Sequence, residues 1–488
     1  MFISKSKYIR GWQCVKGLWL KCYRPELEEQ DPGLEMVFKN GTMVGELARD
    51  LFPGGVLIQF TPDLFEMAAR TKAAMDSGAE AVYEAAFVHD DLAVICDILV
   101  KSGDGYDIYE VKSTTDLKEV LCVDAAYQHY VLTEAGIKVN RAHVVHLNNE
   151  YIREGELDLG NLFRIRDVTD FAYEIRQEIE TGIRMMRKAL KSKKEPEQDI
   201  GLHCHSPYEC GFWSYCTKHL PAPCVFDIAG MRKRKQYRLY GEGCFAFEDL
   251  INSHLTGKQL LQVEAELHGL EEINSEGILE SIGGFSYPLY FLDFETYMQP
   301  VPPFDGLRPY QQIPFQYSVH FIEAEDGEPH HRDFLAKEGA DPRRALAERL
   351  VKDVPAGVCV VAYNMVFEET VLRSLANRFP DLAPHLMSIH DNLQDLMVPF
   401  KKGYYYNRDM QGSYSLKYVL PALIPDDPEL DYASLDVRNG SEAMDAFAFL
   451  HERTPEEAEA IRAALLSYCR LDTLAIVRIW EKLRDMAG

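Results

Sequence analysis

The hydrophobic pattern divides the chain into two α/β stretches joined by a polar, helical one. In the first stretch, residues 81–89 and 92–100 read as consecutive strands, with Asp90-Asp91 as the turn between them. Residues 106–112 read as a third strand after the turn Gly103-Asp104-Gly105. The apolar period lengthens to that of a helix over 123–135, which Gly136 stops, and 141–147 returns to strand. A long polar helix is predicted over about 167–191. Between 226 and 285 the pattern breaks into short helical pieces around Lys233, Lys235 and 247–251. A second α/β pattern opens at Tyr287, with strands over 290–294, 315–321 and 358–363 and a helix over 368–379. A final helix runs from 455 to about 486. Its start is well marked: Thr454 as N-cap, Pro455 in the first turn and Glu457 closing a capping box.

The fold class expected is therefore α/β in three parts: a first domain over 1–225, a helical connector over 226–285 and a second α/β domain over 286–488. A length of 488 residues is in keeping with two or three cores. Hydrophobic and charged fractions of 47% and 26% are ordinary for a globular chain. No stretch reaches the roughly 18 apolar residues of a membrane span. Residues 1–5 lack a secretory pattern, so a cytoplasmic protein is expected, with no membrane partner. The net charge of −25 argues against coating nucleic acid through global positive charge. It does not exclude an enzyme that meets phosphates through metal ions. Basic runs at 191–194 and 232–235 are either solvated faces or phosphate contacts. The connector reads equally as a spacer or as a helical hairpin that touches a nucleic-acid backbone.

The chemistry concentrates in acidic residues. Side chains alternate along a strand, so Asp293 and Glu295 share a face, and two carboxylates there repel unless a cation lies between them. Tyr468 and Asp472 are four apart and share a helical face. Between them in sequence, Tyr363-Asn364-Met365-Val366-Phe367-Glu368 runs from strand into helix and sets Glu368 at the junction. A Pro-, Gly- and aromatic-rich loop over 300–310 is expected beside this acidic stretch. The ordered set resembles the DEDD family of 3′–5′ exonucleases, which have an RNase H-like fold, in its tyrosine-bearing subgroup. The likeness covers about 287–488 and takes in Ser415-Leu416-Lys417. It implies that Asp293, Glu295, Glu368 and Asp472 hold two divalent metals and that Tyr468 orients the attacking water. That family usually has Asp as its third carboxylate, where this chain has Glu368; Glu369 and Asp395 are alternates. Hard oxygen ligands favour Mg²⁺ or Mn²⁺ over zinc.

A second set lies upstream. Asp97 ends a strand-like run, Glu110 and Lys112 share a face of the next strand, and Gln128 follows on a helix. Asp97 and Glu110 can bind a divalent metal, and Lys112 can steady a phosphate or help activate water. The order resembles the PD-(D/E)XK nucleases of the RecB type. The resemblance implies metal binding by Asp97, Glu110 and the Val111 carbonyl, a catalytic Lys112 and a supporting Gln128. Where that family often has a metal-binding His, this chain has Gly45, and Glu46 and Glu84 are the candidates to compensate.

Eleven cysteines are present, and three of them, Cys204, Cys210 and Cys216, are evenly spaced. With Cys14 as a fourth thiolate they suit an iron–sulfur cluster or a zinc ion. An N-terminal Cys paired with a later trio resembles the iron–sulfur RecB-family nucleases, which implies a [4Fe–4S] cluster stapling the ends of the first domain. The first gap in the trio is longer than usual in that family, and Cys22 and Cys224 are alternate ligands. The whole architecture resembles a bacterial family that fuses a RecB-like PD-(D/E)XK iron–sulfur domain to a DEDD-type domain. The expected function is a metal-dependent nuclease with two sites, acting on single-stranded or end-containing DNA in repair, processing or defence. Its C-terminal site would trim 3′ ends. The alternative is a degenerate nuclease fold that binds nucleic acid or serves as a scaffold. Nothing in the sequence separates DNA from RNA.

Overall fold

The computed structural model describes residues 2–29, 33–425, 427–430, 432 and 435–488. The chain is mixed α/β and divides into two compact units, Met1–His219 with Gln299–Gln311 and Leu220–Met298 with Gln312–Gly488. Among the described residues, no helix is long and apolar enough to cross a membrane.

The first unit is built on a seven-stranded sheet. Its strands are β1 (Ile3–Ser4), β2 (Val56–Leu57), β3 (Ala81–His89), β4 (Leu92–Ser102), β5 (Gly105–Lys112), β6 (Val139–Leu147) and β7 (Phe163–Asp167). They run in the order β2-β3-β4-β5-β6-β7, with β1 parallel to β4 off that path. β3, β4 and β5 form an antiparallel meander. β5 and β6 are parallel, which requires a crossover, and the helix Glu119–Glu134 supplies it. That helix is buried on nearly every side, against the sheet and the helices Lys5–Gln13, Thr169–Glu174 and Arg176–Lys191.

Three local expectations are corrected in this unit. The crossover helix begins at Glu119, ahead of its apolar period, because an acidic residue in the first turn suits the positive end of the helix. β4 continues to Ser102 and turns at Gly103, whose φ is +58°, so Asp97 lies inside the strand rather than at its end. The polar helix over 167–191 is two helices, Thr169–Glu174 and Arg176–Lys191, that meet at Ile175. The loop expected beside the C-terminal acidic stretch packs within the first unit. Arg153 donates to the carbonyls of Pro302 and Pro303, each at 2.9 Å, and the Gly155 amide donates to Asp305 at 2.8 Å.

The strands of the second unit are β8 (Glu272–Ile273), β9 (Leu289–Tyr297), β10 (Ile313–Ile322), β11 (His330–Leu335), β12 (Cys359–Ala362), β13 (Leu393–Asp395) and β14 (Tyr405–Tyr406). Five of them form a mixed sheet in the order β11-β10-β9-β12-β13, and β14 pairs with β8. β10 lies antiparallel to β9, and β12 and β13 run parallel to it. β9 is buried on both faces, and its period of two sorts its residues. Tyr290, Leu292 and Phe294 join the core with Leu346 and Leu372, while Leu289 and Phe291 join the core that holds Ile476 and Trp480. Trp480 belongs to the long helix Pro455–Ala487, which begins with the expected Thr454–Glu457 capping box. The helices Lys233–Gly241 and Gly257–His268 share a small core of Val225, Ile228, Leu239, Phe247, Leu250 and Val263 in this same unit.

Two candidate carboxylate sites

In the second unit, Asp293 and Glu295 continue the β9 face that carries Leu289 and Phe291, so they point to the side of the long helix. Gln316 stands opposite Glu295 in the β9–β10 register and donates to the Leu465 carbonyl at 2.8 Å. This bond fastens the long helix against the acidic end of the strand and helps set Tyr468 and Asp472 there. β12 runs parallel to β9, so the helix Val366–Arg378 begins at the carboxyl edge of the sheet and brings Glu368 in its first turn.

Glu295, Glu368 and Asp472 are buried, and Asp293 is partly so. Burial, with Asp472, Glu295 and Glu368 adding their charge, holds the Asp293 carboxyl well above the carboxylate range. Burial does the same for Glu295, with Asp472 and Glu368 adding to it. Burial also lifts Glu368 to about 8, with Asp395 adding to it, and Asp472 to about 6, opposed by the hydroxyls of Tyr432 and Tyr468. Among the described residues, no lysine, arginine or histidine pairs with any of the four. Glu368 Oε2 is buried without a hydrogen-bond partner. Four facing acids without a cation, one with an orphaned oxygen, are costly in a dry site. The donor set suits a hard divalent cation, which would remove that cost.

Three further residues belong to this site. Tyr432 donates to Asp472 Oδ1 at 2.7 Å. Cys469 Sγ is 3.8 Å from Asp293 Oδ2, and ligand atoms of Asp293, Glu295 and Cys469 lie within 4.8 Å of one another. Burial and the surrounding carboxylates hold the Cys469 thiol well above its usual range, so without metal it donates to Asp293. Asp395 accepts from the amides of Asn364 and Met397, both at 2.9 Å, and so shapes the loop before Glu368. Nothing in the sequence pattern marks Tyr432. Cys469 adjoins Tyr468, but a lone cysteine in a helix carries no sign in the sequence of a contact with Asp293.

In the first unit, β4 and β5 set Asp97 beside the Glu110 strand, and Asp97 Oδ2 accepts from the Val111 amide at 2.7 Å. Glu110 is 1% exposed and surrounded. Lys112 reaches its Oε1 at 2.5 Å, Lys5 reaches the same oxygen at 2.6 Å, and Gln128 donates to Oε2 at 2.6 Å. Lys112 also pairs with Asp124 at 2.6 Å. Burial would raise Glu110, but Lys112 and Lys5 hold it well below the carboxylate range. Burial pushes Asp97 up to about 7, with the Glu110 charge adding to it and Lys5 and Lys112 opposing.

Glu110, Lys112 and Gln128 thus meet, Asp97 lies within electrostatic reach of Glu110 and Lys112, and two unforeseen residues join them. Asp124 is four before Gln128 on one helical face, a spacing visible in the sequence. Lys5 opens the helix Lys5–Gln13 beside β1, and its place follows only from the pairing of β1 with β4. Of the residues considered in place of the family histidine, Glu84 is held by Arg49 at 2.9 Å and Glu46 is exposed. A Cβ on Gly45 would meet nothing within 4 Å.

The cysteines gather at the ends of the same unit. Cys14 caps the helix Val15–Tyr23, and its sulfur accepts from the Gly17 amide at 3.3 Å. The Cys210 amide donates to the Cys204 carbonyl at 2.9 Å, and Cys216 lies in the helix Trp213–Thr217. Burial, with Cys210 and Cys204 nearby, lifts the Cys14 thiol to about 11. Burial also raises Cys216, which Lys16 opposes and Cys210 and Cys204 reinforce. Among the described residues, no three cysteine sulfurs come within 4.8 Å of one another. Thiolates on one tetrahedral zinc would stand about 3.8 Å apart. The alternate Cys22 has Lys7 and Lys21 as its charged neighbours, and Cys224 belongs to the second unit, beside Asp227.

A family model described as Domain of unknown function (DUF2779) matches residues 290–415. The match includes Asp293, Glu295 and Glu368 and stops short of Tyr468 and Asp472. No curated protein matches the chain.

Proposed function

We propose that the chain is a divalent-metal-dependent nuclease with two sites, the C-terminal one a 3′–5′ exonuclease on single-stranded or end-containing DNA. The observation that carries this reading is the convergence of Asp293, Glu295, Glu368 and Asp472 without a paired cation. The sheet that sets β9 between an antiparallel and a parallel neighbour supports an RNase H-like reading of this half. In the first unit, Lys112 and Gln128 on the Glu110 carboxylate, with Asp97 on the neighbouring Val111 amide, support a PD-(D/E)XK reading.

At the C-terminal site the four carboxylates would hold Mg²⁺ or Mn²⁺. Such ions, bound as a pair, stabilise the attacking and leaving oxygens of an in-line displacement at phosphorus. The chain's own groups have separate tasks. Tyr468, hydrogen-bonded to Asp472, would orient a water. Tyr432 and Cys469 donate to Asp472 and Asp293 and so fix which carboxylate oxygens face the centre. At the N-terminal site Asp97 and Glu110, with the Val111 carbonyl, would hold a divalent ion, and Lys112 would meet the phosphate. Cys14 and Cys216 both have Cys204 and Cys210 as electrostatic neighbours, which supports a group shared by the four thiols, a [4Fe–4S] cluster or a zinc ion.

The test is incubation of the purified chain with 3′- and 5′-labelled single-stranded DNA and Mn²⁺, beside Asp293→Ala and Asp97→Ala. Stepwise loss of nucleotides from the 3′ end that Asp293→Ala abolishes is the expected result. Trimming that survives Asp293→Ala and dies with Asp97→Ala reverses the assignment of the two sites. A binding role for the N-terminal half is a second reading, favoured by one observation: Lys5 and Lys112 already neutralise Glu110.

A further inference from the structure

The segment between Cys204 and Cys210 does more than carry two cysteines. Gln13, next to Cys14, donates to the His203 carbonyl at 2.8 Å and to the Tyr208 carbonyl at 2.6 Å. These two bonds fix the loop to the first helix and fix the backbone from which Tyr208 projects. The Tyr208 ring is 52% exposed, although it sits in a built loop. Its hydroxyl lies within electrostatic reach of Lys112 and Asp124, two residues of the N-terminal carboxylate site. The chain just before it, Ser206-Pro207, lines a cavity of about 340 Å³, walled also by Trp12, Gln13, Lys118 and His203. Lys118 and Glu119, at this wall, begin the helix that carries Asp124 and Gln128. An indole and a lysine therefore border the cleft, Tyr208 follows its Pro207 wall directly in the chain, and the cleft's volume falls within the range of small-ligand sites.

We propose that Tyr208 is a base-stacking residue of the N-terminal site, and that the cleft beside it receives an unpaired nucleobase of a single-stranded nucleic acid. A half-exposed, pre-positioned ring presents a π-face to any base, and a neighbouring lysine suits the phosphate attached to it. A duplex keeps its bases stacked on one another and would not offer one to the ring. The cysteine loop is then part of the substrate path, which explains why Gln13 ties it down at two carbonyls. This inference rests on reading the first site as one that meets nucleic acid.

The experiment uses the full chain with Ca²⁺ in place of Mg²⁺ and short single-stranded oligonucleotides carrying 2-aminopurine at successive positions. Binding is followed separately by anisotropy of an end-labelled strand. Asp293→Ala is present in every protein, so that the C-terminal site does not degrade the probe. The expected result is quenching at one or two positions, lost in Tyr208→Ala together with about five- to tenfold in affinity. Tyr208→Phe retains both, since stacking needs the ring and not the hydroxyl. Unchanged quenching and affinity in Tyr208→Ala overturn this inference alone. Absence of any strand binding by the protein with Tyr208 intact overturns it together with the nucleic-acid reading of the site. Equal quenching by a fully paired duplex overturns the preference for an unpaired base.

Discussion

Lys5 Nζ stands 2.6 Å from Glu110 Oε1, a cation supplied from the chain's first helix to the most buried acid of the first site. Lys112 reaches the same oxygen. Among the described residues the C-terminal site has nothing comparable, since its four carboxylates face each other with two tyrosine hydroxyls and a thiol as their side-chain donors. The two sites therefore stand in opposite electrostatic states without metal. In the first, two lysines face the most buried acid, and in the second, among the described residues, no lysine, arginine or histidine pairs with the four acids.

Lys5→Met follows from this contrast. Removing the Lys5 ammonium leaves Glu110 with Lys112 and Gln128, and a charge-assisted bond in a buried place is lost. The metal-free protein is expected to lose roughly 2 kcal/mol. Mn²⁺ should recover more of the thermal transition of the first unit than it adds to the parent protein, because Lys5 no longer competes for the Glu110 oxygen. Calorimetry with and without Mn²⁺ checks this. An equal Mn²⁺ response in both proteins would show that Lys5 does not stand where the ion binds.

The pH dependence of the C-terminal site has a definite sign. Glu368 and Asp472 have folded-state values raised to about 8 and about 6, above an unfolded carboxylate value of about 4. Between those limits the unfolded chain has released protons that the folded chain retains. Stability without metal therefore falls as pH rises from about 4 to about 8. Divalent metal should reverse the fall, with its largest effect at the alkaline end, where the carboxyl groups give up their protons to the ion most readily. Asp293→Asn removes one of the repelling charges at constant shape. It is expected to raise the metal-free melting temperature near pH 8, to blunt the response to Mn²⁺ and to lower 3′ trimming on the order of a thousandfold. A metal-free stability that climbs across this range would contradict the arrangement of the four acids.

The parts of these sites that could be read from the sequence are those held by local periodicity. Asp293 with Glu295 and Glu110 with Lys112 follow from strand alternation, and Tyr468 with Asp472 from helical spacing. The capping box at Thr454 fixed the start of the long helix for the same reason. What escaped was set by tertiary pairing. Lys5 arrives through the β1–β4 contact, and Tyr432 reaches Asp472 across 40 residues of sequence. The placement of Gln299–Gln311 in the first unit was missed because its anchor, Arg153, carries no sign of the prolines it will bind.

Glu368 tests whether side-chain length matters. It occupies the first turn of its helix with Oε2 unpartnered, while Oδ1 of the alternate Asp395 already accepts from two backbone amides. Glu368→Gln keeps the volume and removes the charge, and a loss of about a hundredfold or more in trimming is expected. Glu368→Asp keeps the charge and shortens the reach by one methylene. Its activity should lie well above that of Glu368→Gln and recover further with Mn²⁺ than with Mg²⁺, because Mg²⁺ tolerates departures from octahedral geometry least. Equal activity in all three proteins would remove Glu368 from the ligand set and return Glu369 to consideration.

The cysteines make the last prediction. Cys14 sits near the start of the first unit, and Cys204, Cys210 and Cys216 near its end, so any group they share closes almost the whole unit into one loop. By the loop-entropy account, a cross-link of that span is worth about 4–5 kcal/mol. Protein purified without oxygen is expected to be brown, and Cys14→Ser to lose that colour and melt earlier, with the change confined to the first unit. Colourless protein containing one zinc per chain, with the same loss on Cys14→Ser, would keep the staple and change its metal. Colourless, metal-free protein in which Cys14→Ser melts like the parent would mean that the four thiols are separate buried side chains, and the Cys204–Cys210 loop would then owe its position to Gln13 alone.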